Sequence, residues 1–203
     1  MTTDTVPLRV LVACEYSGRV REAFRKLGHE AWSCDLLPSD DNSPYHVIGD
    51  VREMLDGWDL IIAHPPCTYL TNAGVRWLSD PERWDKMREG AALFLDILNA
   101  PAPRICVENP ILHKYAVAII GRRQDQVLQP WMFGHTESKA TCLWLKNLPP
   151  LEPTNNVKAE MLKLPKNVQQ RLFHLPPGPE RWKLRSLTYQ GIADAFAAQW
   201  GQT

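Results

Sequence analysis

The chain has 203 residues, 44% of them hydrophobic, and its 23 basic and 23 acidic side chains give a formal net charge of zero. That length suits one buried core with modest additions, and the even charge balance argues on its face against a nucleic-acid partner. No run approaches the roughly 18 consecutive apolar residues of a membrane span, and MTTDTVPLRVLVAC lacks the basic-then-apolar build of a secretory signal, so a soluble, cytoplasmic chain with no membrane partner is expected.

In chain order, LRVLVAC (8–14) predicts a buried strand and RVREAFRKLG (19–28) a short helix ending on Gly28. EAWSCD predicts a second strand ending on Asp35, YHVIGD (45–50) a third, DLIIAH (59–64) a fourth and PRICVEN (103–109) a fifth. Between the last two, Asp80 can cap a long helix with Pro81 in its first turn, and Trp84, Met87, Ala91, Phe94 or Leu95, and Leu98 recur at helical spacing. Farther on, VLQPWMFG and TCLWLKNL predict two more strands. LPPLEPTNN and HLPPGPE are proline-rich connections, and TYQGIADAFAAQWG is a closing amphipathic helix. Strands separated by helices predict an α/β fold with a doubly wound, mostly parallel sheet.

Ligands of such sheets bind outside the carboxyl ends of the strands. Asp35, Asp50, Cys67 and Glu108 each follow an apolar strand, so this fold places all four on one rim. The EYSGR turn after the first strand is too poor in glycine to cradle a pyrophosphate, which favours a neutral or cationic nucleoside cofactor. Asp35 is placed to take ribose hydroxyls and Asp50 an exocyclic amine. Pro65 and Pro66 fix the backbone before Cys67, aiming the sulfur as a nucleophile must be aimed. Glu108, kept protonated or sharing a proton, can hydrogen-bond a pyrimidine ring nitrogen.

The five cysteines are odd in number and never stand at zinc-ligand spacing, so neither a disulfide framework nor a metal site is expected. Charge is unevenly spread: residues 158–185 hold 7 basic and 2 acidic side chains, a local +5, interleaved with Phe173, His174 and Trp182. That composition suits phosphate and base-stacking contacts, and equally a solvated surface.

At these residues the chain resembles the cytosine-5 DNA methyltransferases. PPCTYLTNAG resembles their Pro-Pro-Cys catalytic loop, VENP their Glu-Asn-Val strand end and GDV (49–51) their Gly-Asp-Ile cofactor element. FGHTESKATCLWL resembles the strand of substrate-contacting arginines, with Lys139 where an arginine is usual, and the closing helix stands where their Gly-Asn-Ala-Val helix would be. The resemblance runs from residue 8 to 200 and implies a Rossmann-like S-adenosylmethionine-dependent methyltransferase fold. It further implies Cys67, Glu108 and Lys139 as catalytic residues. Tyr16, Ser17, Gly18, Asp35, Asp50, Pro65 and Gln190 would surround S-adenosylmethionine, with Tyr16, Ser17 and Gly18 at its methionine end. Asn109 and Thr71 would orient the catalytic loops, and Trp32 and Trp58 would flank the adenine or pack in the core.

Three departures accompany the resemblance. The first loop reads Ala-Cys-Glu-Tyr-Ser-Gly instead of Phe-x-Gly-x-Gly-Gly, Thr68 replaces a glutamine, and a reduced insertion (150–187) stands where members carry a target-recognition domain. The whole of 1–203 is therefore expected to be one catalytic domain of a compact, phage-type form with weak sequence recognition. Three acceptors fit: cytosine in DNA, a free cytosine nucleotide, or DNA presented by a partner subunit or a second copy. Two rival readings are a catalytically inactive nucleic-acid-binding protein on this fold, and a cysteine-dependent hydrolase pairing Cys67 with His64 or His113. In the hydrolase reading, the two prolines between His64 and Cys67 hold the imidazole away from the sulfur.

Overall fold

Val10 and Val12 of β1 (Arg9–Ala13) face one side of the sheet, Leu11 and Ala13 the other, and all four are fully buried. A strand apolar on both faces needs cover on both, which a parallel sheet with helices on each side supplies. The computed structural model describes residues 6–72 and 78–202 and has this arrangement. Its other strands are β2 (Glu30–Asp35), β3 (His46–Ile48), β4 (Leu60–Ala63), β5 (Arg104–Asn109), β6 (Gln126–Leu128) and β7 (Thr141–Lys146). They form one sheet in the order β3-β2-β1-β4-β5-β7-β6. The first five strands pair in parallel, and β7 runs antiparallel to both its neighbours. The expected α/β, doubly wound, mostly parallel sheet of Rossmann-like form is thus present.

One face is covered by α1 (Arg19–Lys26) and α7 (Gln190–Trp200), whose Phe24, Phe196 and Trp200 are fully buried against Val10, Val12, Leu60 and Ile62. The other is covered by α2 (Pro81–Leu98) and α3 (Lys114–Ile120). Asp80 caps α2 by accepting from the Glu82 amide, Pro81 fills the first turn, and Met87, Ala91, Phe94, Ile97 and Leu98 form its buried stripe. Phe94 meets Trp144 of β7 edge-on, with ring centroids 5.0 Å apart. Each such large side chain stabilises the fold by about 1.5–3 kcal/mol on burial.

The structure differs from expectation in three places. VLQPWMFG is not one strand: β6 stops at Leu128 and Pro130–Met132 forms a 3-10 turn, because proline offers no N–H to a ladder. Helix α3 lies where no helix was expected, capped by His113, whose Nδ1 accepts from the Tyr115 and Ala116 amides. The basic segment folds as three short helices, α4 (Lys158–Leu162), α5 (Lys166–Gln169) and α6 (Arg181–Ser186), anchored by buried Leu151, Met161 and Leu172. Among the described residues no helix is long and apolar enough to cross a membrane.

Candidate active site

Strands β4 and β5 are neighbours, with Ala63 in register with Val107, so the next residues, His64 just past the end of β4 and Glu108 near the end of β5, stand side by side. His64 Nδ1 lies 2.9 Å from Glu108 Oε2. After His64 the chain passes through buried Pro65 and exposed Pro66 to half-buried Cys67. This loop is tied down at several points. Asn109 Nδ2 donates to the Pro65 carbonyl at 2.7 Å, and the His64 amide donates to Ala13 at 2.9 Å. The Leu70 amide donates to the Cys67 carbonyl at 3.1 Å and His113 N to the Leu70 carbonyl at 3.0 Å, while Thr71 bridges Leu112. Ala73 and Gly74, the end of the PPCTYLTNAG stretch, lie outside the described residues.

The charges on this rim act on one another. Burial opposes a charge on Glu108, but the hydrogen bond and charge of His64, then Lys139 and Thr141, outweigh it and hold the carboxyl below the usual glutamate range. These neighbours favour the carboxylate over the free acid, and the contact with His64 fits the expected form that shares a proton. Burial likewise opposes a charge on His64, yet Glu108, helped by Glu15, raises its pKa above that of an ordinary histidine. The two groups thus favour each other's charged form across the 2.9 Å contact, which places them to share a proton. Burial and then Glu108 push the Cys67 thiol up, while Lys139 and Arg185 pull it down. Burial lowers the Lys139 ammonium, against Glu108 and Cys67, which favour its charge. Cys67, Glu108 and Lys139 thus lie within electrostatic reach of one another.

Beside the sulfur loop a cavity of about 130 Å³ is walled by Cys14, Asp35, Gly49, Asp50, Pro66 and Leu93. Asp35 accepts from the Leu37 amide at 2.9 Å, and burial raises its pKa. Asp50 caps a 3-10 turn through the Arg52 amide at 3.0 Å. A smaller space of about 50 Å³ shares Cys14 and continues past Glu15, Tyr16, Ser17 and His64. Cys14 sits in the left-handed region at φ 58°, a strained conformation typical of functional turns, and burial pushes its thiol up to about 12.

Glu15 explains why the first loop needs no further glycines. It is buried, and its carboxylate accepts from the Val20 amide at 2.8 Å, the Arg21 amide at 3.2 Å and Ser17 Oγ at 3.2 Å. The N-terminus of α1, where a dinucleotide fold would seat a pyrophosphate, is filled by the chain's own carboxylate. Gly18, at φ 71°, makes the turn; a Cβ there would collide with the Arg21 guanidinium.

Residues 183–189 cross the mouth of this rim as a strap. The Tyr16 hydroxyl meets Ser186 Oγ at 2.8 Å and donates to the Lys183 carbonyl at 3.1 Å; Lys139 Nζ donates to the Arg185 carbonyl at 2.7 Å. Arg19 holds the Thr188 carbonyl at 2.8 Å, and Lys183 pairs with Asp40 at 2.9 Å. Beneath it, the space bounded by Glu108, Lys139 and Thr141 is about 20 Å³, room for about one water. On the far side of Lys139 a larger cavity of about 450 Å³ is lined by Ser138, Lys139, Gln170, Leu172, Phe173 and Arg185. Phe173 is 70% exposed there.

Other residues singled out in the sequence lie elsewhere. Pro66, not buried Pro65, walls the Asp35–Asp50 cavity. Gln190 turns along α7 to Asp194 at 2.8 Å and is not among the residues bounding these cavities. Trp32 packs edge-on against Tyr45, and Trp58 is buried with Nε1 bonded to the Met54 carbonyl. His113 is committed to capping α3 and His64 to Glu108, so neither imidazole is arranged to serve Cys67 as a hydrolase base. Among the described residues no group of three or more His, Cys, Asp or Glu is placed to hold a metal ion.

The sequence reading missed the His64–Glu108 pair and the Glu15 cap, and counted Arg185 only as one cation of the basic segment. The first has a signal, since adjacent parallel strands β4 and β5 bring their following residues together.

No family model and no curated protein matches the chain. Among solved structures it is similar to the Entamoeba histolytica methyltransferase EhMeth, at 14% identity and TM-score 0.49 over 75% of this chain and 57% of that one. It is also similar to the Dnmt2 methyltransferase of S. pombe, at 16% identity and TM-score 0.47 over 71% of this chain and 51% of that one. A third is an E. coli prophage-encoded protein described as a DNA modification methyltransferase, at 16% identity and TM-score 0.46, covering 68% of this chain and 46% of that one. The chain matches about half the length of each of these three proteins.

Proposed function

We propose that the chain is an S-adenosylmethionine-dependent methyltransferase acting at carbon 5 of cytosine, with DNA as the acceptor and a covalent Cys67 adduct on the path. The reading is carried by one observation: Glu108 and Lys139 bound one space at the strand ends, Asn109 ties the Cys67 loop to the same strand end, and a cavity bearing Asp35 and Asp50 lies beside that loop. A soft nucleophile and a hydrogen-bonding carboxyl on one rim suit the two edges of a pyrimidine. The cavity beside them suits a nucleoside, with Asp35 for ribose hydroxyls and Asp50 for the base amine, while Pro66 packs on its wall.

Bound S-adenosylmethionine supplies an electrophilic methyl group; the protein supplies everything else. Glu15 puts a carboxylate beside the inner end of the cavity, which favours a cationic ligand and disfavours a phosphate. The Cys67 thiolate adds to carbon 6 of cytosine, Glu108 holds the ring nitrogen opposite, and carbon 5 becomes nucleophilic and accepts the methyl. Loss of the carbon 5 proton to solvent water and departure of the thiolate restore the aromatic ring. Lys139 and Arg185 lower the cost of the thiolate and offer positive charge to a nucleotide phosphate in the 450 Å³ cavity, with Phe173 available for base stacking.

Two consequences follow for the substrate. The 20 Å³ left beside Glu108 is smaller than a ring, so the 183–189 strap swings away when a base enters. The segment 150–187 offers three short helices in place of a reading module, which suits acceptance of many sequence contexts. In duplex DNA the base must first leave the stack, at a cost of a few kcal/mol.

The test is to offer isotope-labelled S-adenosylmethionine with mixed-sequence single- and double-stranded DNA and, separately, with dCMP, and to identify the product nucleoside by mass spectrometry. Label as 5-methylcytosine in DNA is expected. Label in dCMP alone assigns the free nucleotide as acceptor, and label in neither, with no cofactor binding by calorimetry, refutes methyl transfer.

A further inference from the structure

Resting on the proposed chemistry, we propose that His64 is the proton-holding partner of Glu108: the two side chains form a pair that lends one proton to the pyrimidine ring and takes it back. The geometry that carries this is specific. His64 and Glu108 follow paired residues Ala63 and Val107 of adjacent parallel strands, their side chains are 9% and 18% exposed, and His64 Nδ1 stands 2.9 Å from Glu108 Oε2. The other ring nitrogen, Nε2, is buried and makes no hydrogen bond among the described residues. A proton carried on Nδ1 faces one partner, the Glu108 carboxyl, which itself faces the proposed substrate.

The pair resolves a difficulty in the proposed chemistry. A carboxyl that is to stabilise the altered ring nitrogen has to supply a proton, yet His64, 2.9 Å away, together with Lys139 and Thr141 favours the carboxylate form of Glu108. The missing proton is held one bond away. As the Cys67 Sγ–carbon 6 bond forms from the thiolate, whose own proton has already gone to solvent, the His64 Nδ1–H bond breaks, Glu108 takes the proton and passes it to ring nitrogen 3. The imidazole is left neutral. When the Sγ–carbon 6 bond breaks, nitrogen 3 returns the proton through Glu108 and the imidazolium is restored, so the pair ends as it began. His64 acts only through Glu108 and is a positioning residue, not one that touches the base.

The charged groups that face His64 are Glu108 on β5, Glu15 on the loop after β1 and Lys139 just before β7. The two carboxylates favour its proton and the ammonium opposes it, with Glu108 the largest influence after burial. Replacing Glu108 should therefore release the proton, while Glu15 is already occupied by its three donors.

The experiment has two arms. In the first, ¹⁵N-histidine NMR of the full chain is recorded across pH, with the His64 signals assigned by their absence in His64→Gln. Both ring nitrogens of His64 should stay protonated above the pH of about 6.5 at which a free histidine titrates, and one should lose its proton in Glu108→Gln. A neutral His64 at pH 6.5, or a titration unmoved by E108Q, overturns the pair. In the second arm, cytosine methylation is followed against pH. His64→Gln, checked for folding by its melting curve, should lower kcat by about 10²-fold, the scale of a general acid, and move the optimum to lower pH. A wild type that methylates cytosine and an H64Q variant with an unchanged pH profile overturn the proposal alone. A wild type that methylates no cytosine, with the imidazolium present by NMR, overturns the functional reading and with it this role for the pair.

Discussion

The side-chain amide of Asn109 donates to the main-chain carbonyl of Pro65 at 2.7 Å, joining the strand end that carries Glu108 to the loop that carries Cys67. Asn109 is 1% exposed and Pro65 is buried, so water cannot take over the bond without rearrangement. Truncation by Asn109→Ala leaves that carbonyl unpaired, at a cost of about 1–3 kcal/mol, and frees the sulfur to wander. The expected outcome is a lowered melting temperature and a kcat reduced by about 10–100-fold, with cofactor affinity by calorimetry nearly unchanged.

Lys139 is the main cation pulling the Cys67 thiol down against burial and Glu108. Lys139→Met removes that help. The pH midpoint for alkylation of Cys67 by iodoacetamide should move to higher pH, and the rate at pH 8 should fall several-fold, read by peptide mass spectrometry. Cys14, already pushed up to about 12, serves as an unreactive internal reference.

The His64–Glu108 pair also predicts how stability varies with pH. Glu108 is lowered in the folded state, so its contribution is present above the unfolded carboxylate pKa and lost as pH falls through the folded value. His64 is raised, so its contribution is present below the unfolded histidine pKa and lost as pH rises through the folded value. The two contributions coincide between about pH 4.3 and 6.5. The difference in melting temperature between wild type and His64→Gln should be largest in that window and shrink on both sides, by calorimetry in a pH series.

Gly18 tests the first turn. At φ 71° any side chain costs about 1–2 kcal/mol, and here a Cβ also collides with the Arg21 guanidinium, which is paired with Asp41. Gly18→Ala should lower urea-denaturation stability by at least that amount and weaken cofactor binding through displacement of Tyr16 and Ser17.

The fold was legible wherever a side-chain period persisted. LRVLVAC and DLIIAH announce β1 and β4 because both faces of each are apolar, and Met87, Ala91, Phe94 and Leu98 announce α2. Helix α3 escaped because seven residues give less than two full repeats, and its cap is a histidine, not an aspartate or serine. Pro130 ended β6 earlier than composition suggested. At the rim, strand ends located Asp35, Asp50, Cys67 and Glu108, since they need only the sheet rule. What composition alone cannot give is lateral order. That β4 lies beside β5, and so His64 beside Glu108, depends on the topology of the whole sheet. The strap is harder still: Tyr16 meets Ser186 across 170 residues of sequence, with no periodic signal at either end. Long sequence separation also explains Arg185, which acts on Cys67 from the end of a short helix with no buried residue.

Covalent attack by Cys67 is most directly tested with DNA carrying 5-fluorocytosine, and in parallel with 5-fluoro-dCMP, incubated with S-adenosylmethionine and the whole protein. Fluorine at carbon 5 cannot leave as a proton does, so the adduct accumulates. Peptide mass spectrometry should find the methylated fluoropyrimidine nucleotide attached to Cys67 and no adduct in Cys67→Ser. Methylation of unmodified cytosine with no trapped adduct at Cys67, or a methyl group on the exocyclic amine instead of carbon 5, would contradict covalent catalysis at this residue.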